Sequence, residues 1–123
     1  PKLLHLMKKI TKIAKKGYVP GLDGRRIIVR SEHAALNCLL QGCGAIIAKQ
    51  WNIEAQKVFK ELQVPVKQVA FVHDEIQIET DAKNGKQVAS IMCDAAKKAG
   101  ITLGFRCPVD AESKIGKNWF DTH

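Results

Sequence analysis

Hydrophobic and polar positions change their period several times along this chain, and each change predicts an element. In residues 1–16, PKLLHLMKKITKIAKK, Leu3, Leu6, Met7, Ile10, Ile13 and Ala14 share one helical face, while Lys2, Lys8, Lys9, Lys12, Lys15 and Lys16 surround the other. A turn at Gly21-Leu22-Asp23-Gly24 leads into a short β-branched strand from Ile27 to Arg30. Ser31 is placed to cap a long helix with Glu32 at its positive end, and the 3.6-residue pattern runs to about Leu62, ahead of Pro65. Leu36, Leu40, Cys43, Ile47, Trp51, Val58 and Leu62 form its expected core stripe. The segment VAFVHDEIQIET, residues 69–80, runs apolar from Val69 to Val72 and alternates from Ile76 to Glu79, which predicts a β-hairpin. A further helix follows in DAKNGKQVASIMCDAAKKAG, with Val88, Ile91, Met92, Ala95, Ala96 and Ala99 inward and Gly100 at its C′ position. One more strand is expected from Leu103 to Val109, before an irregular tail carrying Trp119. This order fits a single α+β domain over residues 1–123, an antiparallel sheet covered on one face by helices.

Two places depart from plain patterning. The hairpin turn carries His73, Asp74 and Glu75 where a tight turn favours Asn-Gly or Asp-Gly. Carboxylates at a turn tip suit a hard cation such as Mg²⁺, which takes one or two of them plus phosphate oxygens; a solvated turn is the plainer alternative. On the long helix His33, Asn37 and Gln41 recur every four residues and so line one flank, with Gly42 and Gly44 beside them. That flank is either a polar solvent face or a row of donors reading the edge of a ligand, with the glycines admitting a close approach.

Charge narrows the partners. Twenty Lys and Arg against twelve Asp and Glu give a formal net charge of +8, which suits a polyanion such as nucleic acid, or else a solvated basic surface. Cys38, Cys43, Cys93 and Cys107 form no C-x-x-C pair and no finger-like spacing with histidines, so reduced structural thiols are expected. No apolar run is long enough to span a membrane and the N-terminus lacks a signal-peptide pattern, so the expected location is the cytoplasm, with no membrane partner. The first residue is Pro1 rather than Met, from which the chain is expected to be part of something longer.

GYVPGLDGRR, SEHAALNCLLQGCGAIIAKQW, VHDEIQIE and IGKNWFDTH, in this order and spacing, resemble the C-terminal end of a family A DNA polymerase. The likeness is to the replicative polymerases of short-tailed phages first and to bacterial DNA polymerase I more distantly. It covers nearly the whole chain and is weakest over the first 16 residues. The resemblance implies that the hairpin is the family's motif C in the second half of the palm, with Asp74 a metal ligand, Glu75 beside it and His73 near the primer terminus. It implies that Asn37 and Gln41 contact the minor groove at the newly formed base pair. His33 stands where bacterial members carry Arg, so its contact is the one this sequence alters. Minor-groove acceptors occupy comparable places in every correct pair, so amide donors there test pairing geometry without reading sequence. Arg25, Arg26 and Lys49 are the expected phosphate contacts.

The family's other signatures are missing from these residues. There is no Asp-x-Ser-x-x-Glu motif A, for DAES at 110–113 lacks the strand-end context, and no Arg-to-Tyr-Gly fingers helix, for KKITKIAKKGY reads Gly-Tyr without the Arg. The expectation is therefore a palm fragment of an enzyme that uses two Mg²⁺, primer-template DNA and a deoxynucleoside triphosphate, without fingers or exonuclease and inactive alone. Excision could expose apolar surface of the long helix and promote self-association. Two rival readings remain: a free-standing basic nucleic-acid-binding domain, and a Mg²⁺-dependent nuclease in which Asp110 or Glu112 joins Asp74.

Overall fold

The computed structural model describes residues 2–122, so Pro1 and His123 lie outside the described residues. The chain divides into two compact units, Pro1–Ile46 and Ile47–His123.

The first unit begins with α1 (Lys2–Ala14), whose C-terminal half meets the core through Ile10 and Ala14. The expected inward face holds only there. Leu3, Leu6 and Met7 are exposed, Leu3 by 64%, because nothing in this unit covers the first turns. A small antiparallel hairpin follows, β1 (Tyr18–Pro20) and β2 (Arg26–Ile28), with Val19 opposite Ile27. Its connection closes through Gly21 N–H to the Arg25 carbonyl at 2.7 Å, and Gly24 supplies the positive φ of +80° that a side chain would resist. Strand β2 starts and stops a residue or two before the expected Ile27–Arg30, and β1 was not anticipated. Ile10, Ala14, Val19, Val29 and Ala35 form the core of this unit.

Ser31 caps as expected, its Oγ accepting from Ala34 N–H at 3.3 Å. The capped element is a single 3₁₀ turn, Glu32–Ala34, that leads directly into α2 (Ala35–Glu61). The expected core stripe is partly corrected: Leu40 and Leu62 are exposed, whereas Ala35, Ala48, Ala55 and Phe59 are buried. Gln63 ends α2 in the left-handed region at φ 52°, with Gln63 N–H to Lys60 O and Val64 N–H to Phe59 O, a Schellman motif built on a non-glycine residue. A left-handed L-residue costs about 1 kcal/mol, so Gln63→Gly is expected to raise stability by up to ~1 kcal/mol in urea denaturation. No gain would mean that the Gln63 side chain makes a compensating contact.

In the second unit β3 (Val66–Val72) and β4 (Glu75–Thr80) pair antiparallel, Val72 opposite Glu75, with a register shift between Gln68 and Ala70. Helix α3 (Gly85–Thr102) buries Val88, Ile91, Met92, Ala95, Ala96 and Ala99, all as expected. The C′ assignment is corrected. Gly100 lies inside α3, where an added Cβ would come within 2.8 Å of Val109 Cγ2, and Gly104 at φ +71° is the C′ residue, with Gly104 N–H to Ile101 O and Phe105 N–H to Gly100 O. The strand expected from Leu103 to Val109 does not form. Leu103 caps α3, Pro108 lacks a ladder donor, and Val109 packs on Gly100 instead of on a sheet edge. The tail closes with one turn, α4 (Trp119–Thr122). The fold class is α+β with antiparallel pairing, as expected, though the described strands form two two-stranded sheets.

The second unit's core joins Ala55, Phe59, Val64, Val88, Ile91, Met92 and Ala95, with Ile76 and Ile78 of β4 packed against it. Trp51 Nε1–H donates to the Met92 carbonyl at 2.7 Å, satisfying the indole while binding α2 to α3. Glu54 is only 2% exposed and pairs with Lys57 at 3.2 Å and Lys98 of α3 at 3.1 Å, while Gln50 Nε2–H donates to it at 2.8 Å. Lys98 first, then Lys57, hold its carboxyl below the ordinary value against the opposing effect of burial. A carboxyl whose folded pKa is depressed contributes stability that is full above the unfolded value and is lost as pH falls through the folded one. Glu54→Gln is expected to lower the melting temperature at pH 7, with the gap to the wild-type chain closing as pH falls below about 4. An equal gap at pH 7 and pH 3 would show that the two lysines do not stabilise the charge.

Candidate functional site

The acidic turn is where sequence analysis placed it. Strands β3 and β4 leave a two-residue connection, His73-Asp74, and Glu75 opens β4. His73 takes φ 55°, the left-handed conformation that glycine occupies without cost in hairpin turns; His is among the few side chains found there at all. Strain of this kind, about 1–3 kcal/mol, persists where the flanking ladder over-determines it. The Phe71–Ile76 and Val72–Glu75 pairs do so here. His73 and Asp74 are exposed, and Glu75 is half-buried. Glu75 Oε1 accepts a hydrogen bond from Gln77 Nε2, two residues along the same face of β4.

Ile76 and Ile78 pack into the core while the acidic positions face away from it, so the alternation that folds β4 also aims the tip outward. The register shift at Val69 is a local irregularity of the kind that re-aims side chains near sites. Among the described residues no group of three or more His, Cys, Asp or Glu gathers to hold a metal ion.

The first unit holds the other candidates. His33 stands in the 3₁₀ turn rather than on the long helix, and Asn37 and Gln41 on α2; all three side chains are exposed. Gly42, next to Gln41, receives Ile27 of β2: an added Cβ would meet Ile27 Cδ1 at 2.5 Å. Its smallness thus seats the basic hairpin on the helix, whereas Gly44 faces open space. Arg25 and Arg26 lie at the start of β2 with unequal freedom. Arg25 Nε–H donates to Asp23 Oδ2; burial pushes the Asp23 carboxyl up, but Arg25 outweighs it and leaves the group below its ordinary value. Arg26 lies 4.8 Å from the Tyr18 ring centre, a cation–π contact that keeps its charge available. Lys49 is exposed on the part of α2 that belongs to the second unit.

Sequence reasoning missed Asp23, Tyr18 and Gln77 as partners of candidate residues. Asp23–Arg25 at i,i+2 in a turn and Glu75–Gln77 at i,i+2 on one strand face were readable signals; Tyr18 over Arg26 needed strand pairing. No helix among the described residues is long and apolar enough to cross a membrane.

The fold is one of helices and small antiparallel hairpins, and comparison with known proteins identifies its family. Residues 4–121 match the model of DNA polymerase family A, and the chain belongs to that family. It is 38% identical over 116 residues to the DNA-directed DNA polymerase of Enterobacteria phage T3, covering 89% of this chain and 16% of that protein. It is likewise 38% identical over 119 residues to that of Escherichia phage T7, with the same coverages. DNA polymerase I of Aquifex aeolicus is 31% identical over 109 residues, covering 87% of this chain and 19% of that protein. The chain therefore spans less than a quarter of the relatives it matches. Among solved structures, the polymerase domain of Pol1 from M. smegmatis, in complex with DNA primer-template and dNTP, matches with a TM-score of 0.68 at 23% identity, over 85% of this chain and 20% of that one, a likeness of fold.

Proposed function

We propose that this chain is the C-terminal part of a polymerase palm, and that in the whole protein it supplies one side of the site for template-directed deoxynucleotidyl transfer. The observation that carries the reading is the exposed Asp74 beside Glu75 on a core-anchored hairpin, within a family A match covering nearly the whole chain.

Asp74 and Glu75 present hard oxygen donors of the kind Mg²⁺ prefers, and two carboxylates alone leave positions for phosphate and for ligands from elsewhere in the protein. Bound there, Mg²⁺ would stabilise the attacking and leaving oxygens of the transfer. In this reading Asp74 is the ligand, Glu75 is the supporting carboxylate and His73 faces the primer end. Asn37 and Gln41 donate to minor-groove acceptors at the new pair, with His33 at the end of the row. Arg26, Lys49 and, with its charge shared by Asp23, Arg25 hold backbone phosphates.

The second metal-binding aspartate, fingers and remaining palm would come from chain outside these residues. The 123-residue chain alone is expected to bind DNA weakly, with affinity falling steeply as salt rises, and not to extend a primer. Its exposed Leu3, Leu4, Leu40 and Ile53 support self-association in isolation.

Primer extension by the full-length protein carrying this chain tests the proposal. Extension with Mg²⁺ and dNTP that stops on chelation supports it; tight primer-template binding without extension, indifferent to Mg²⁺ and to Asp74→Asn, would leave a basic binding domain instead.

A further inference from the structure

We propose that Gln77 is a positioning residue for the Glu75 carboxylate, and that Thr122 of α4 sets the orientation of Gln77, so that the end of the chain helps define the acidic tip. The inference rests on the polymerase reading above.

Strand β4 sends Ile76 and Ile78 into the core, which leaves Glu75, Gln77 and Glu79 on the opposite face. A solvent-facing strand position usually takes a β-branched or charged residue. Gln77 is instead half-buried, with both ends of its amide engaged: Nε2–H donates to Glu75 Oε1, and Oε1 lies 3.5 Å from the Thr122 hydroxyl. Reversing the amide would set two acceptors, the Gln77 carbonyl and the Glu75 carboxylate, against each other with no proton between them. The donor end is therefore committed to Glu75, and the acceptor end is held more weakly by Thr122, whose one hydroxyl proton is shared between the Trp119 carbonyl at 3.0 Å and Gln77 Oε1 at 3.5 Å. Across the ladder Gln77 faces only Ala70, whose small side chain leaves that face of the strand open.

Thr122 is not delivered by a loose tail. Asp121 N–H donates to Asn118 Oδ1 at 3.1 Å, Lys117 N–H donates to Asp121 Oδ2 at 2.9 Å, and the Thr122 hydroxyl also lies 3.0 Å from the Trp119 carbonyl. Asn118 thus caps the turn, and the Asp121 carboxylate ties it to the backbone one residue before the cap. Gly116 has no room for a Cβ against Asp121, so the bend that returns the chain to β4 requires glycine there. A side chain held from behind at one oxygen loses rotamer freedom, and Glu75 is next to the residue proposed to hold the metal.

The test is steady-state primer extension by the full-length protein. Gln77→Leu is expected to lower kcat about ten- to a hundredfold, as sub-ångström misplacement of catalytic groups does, with KM for dNTP and the primer-template Kd held within about twofold. Thr122→Val, which keeps the shape and removes the hydroxyl, is expected to lower kcat about threefold, and the double variant is expected to fall no lower than Gln77→Leu, since coupled residues are non-additive. If Gln77→Leu fails to fold, Thr122→Val carries the test alone. Full kcat in Gln77→Leu while Asp74→Asn is inactive overturns the inference and leaves the polymerase reading standing; multiplying effects in the double variant overturn the role of Thr122. Retained extension in Asp74→Asn overturns both.

Discussion

In the full-length protein, Asp74→Asn is expected to reduce primer extension by about 10³-fold or more while leaving primer-template affinity within a few-fold of wild type. The size follows from the charge removed. On the proposed reading Asp74 holds Mg²⁺, a bound metal ion contributes several kcal/mol of transition-state stabilisation, and each 1.36 kcal/mol is a factor of about ten in rate. The selectivity follows from geometry: Asp74 is exposed at the hairpin tip and contributes nothing to the core, so the amide variant folds as the parent does. Asp74 is also acidic, so its loss does not weaken the cationic contribution to DNA binding, which Lys and Arg supply. Single-turnover extension at saturating dNTP reads the chemistry, and a filter-binding or anisotropy titration reads the affinity. A variant that extends at more than a tenth of the wild-type rate would remove Asp74 from the metal site. A variant that loses DNA affinity in proportion to rate would make the tip a docking element.

Punctuation and alternation made parts of this molecule readable before folding. Ser31 and Pro65 bracket a 3.6-residue pattern, and α2 ends within a residue of its expected limit. Alternation after Glu75 gave the hairpin, and the same alternation places the acids outward. What escaped notice was decided by pairing or by small residues. The α2 stripe was drawn through large apolar side chains, but the close contacts fall on Ala35, Ala48 and Ala55, which the pattern treats as neutral. Leu103 to Val109 reads as a strand only until Gly104 and Pro108 are weighed as a helix stop and a missing donor. Glu54 sits in a charged stretch of α2 that a local reading assigns to solvent; its burial depends on Lys98, 44 residues away by number. Asn37 and Gln41 stand four residues apart on α2 as the spacing placed them, whereas His33 falls in the 3₁₀ turn before it, and the role proposed for them rests on the family resemblance.

The tip depends on what lies beneath it, and Phe59→Ala probes that dependence with the largest expected loss of stability. Phe59 is 3% exposed in the cluster that also receives Ile76 and Ile78, the strand residues on either side of Gln77. Truncating a buried Phe removes transfer free energy and leaves a cavity, at a cost of about 3–5 kcal/mol. Against a total of about 5–15 kcal/mol for a folded domain, that is a large share. For about 100 residues each kcal/mol moves the melting temperature by roughly 4–8 °C, so a fall of at least 12 °C is expected. Phe59→Leu, which keeps most of the volume, is expected to cost about 1.5 kcal/mol or less. Because β4 rests on this cluster, hydrogen exchange at Ile76 and Ile78 amides is expected to rise in Phe59→Ala before exchange in β1–β2 does, since the core of the other unit contains no part of the cavity. Loss of protection in both hairpins together would mean that the two units unfold as one cooperative body. A melting shift under about 4 °C, equivalent to less than about 1 kcal/mol, would mean that Phe59 does not fill the core that aims the acidic turn.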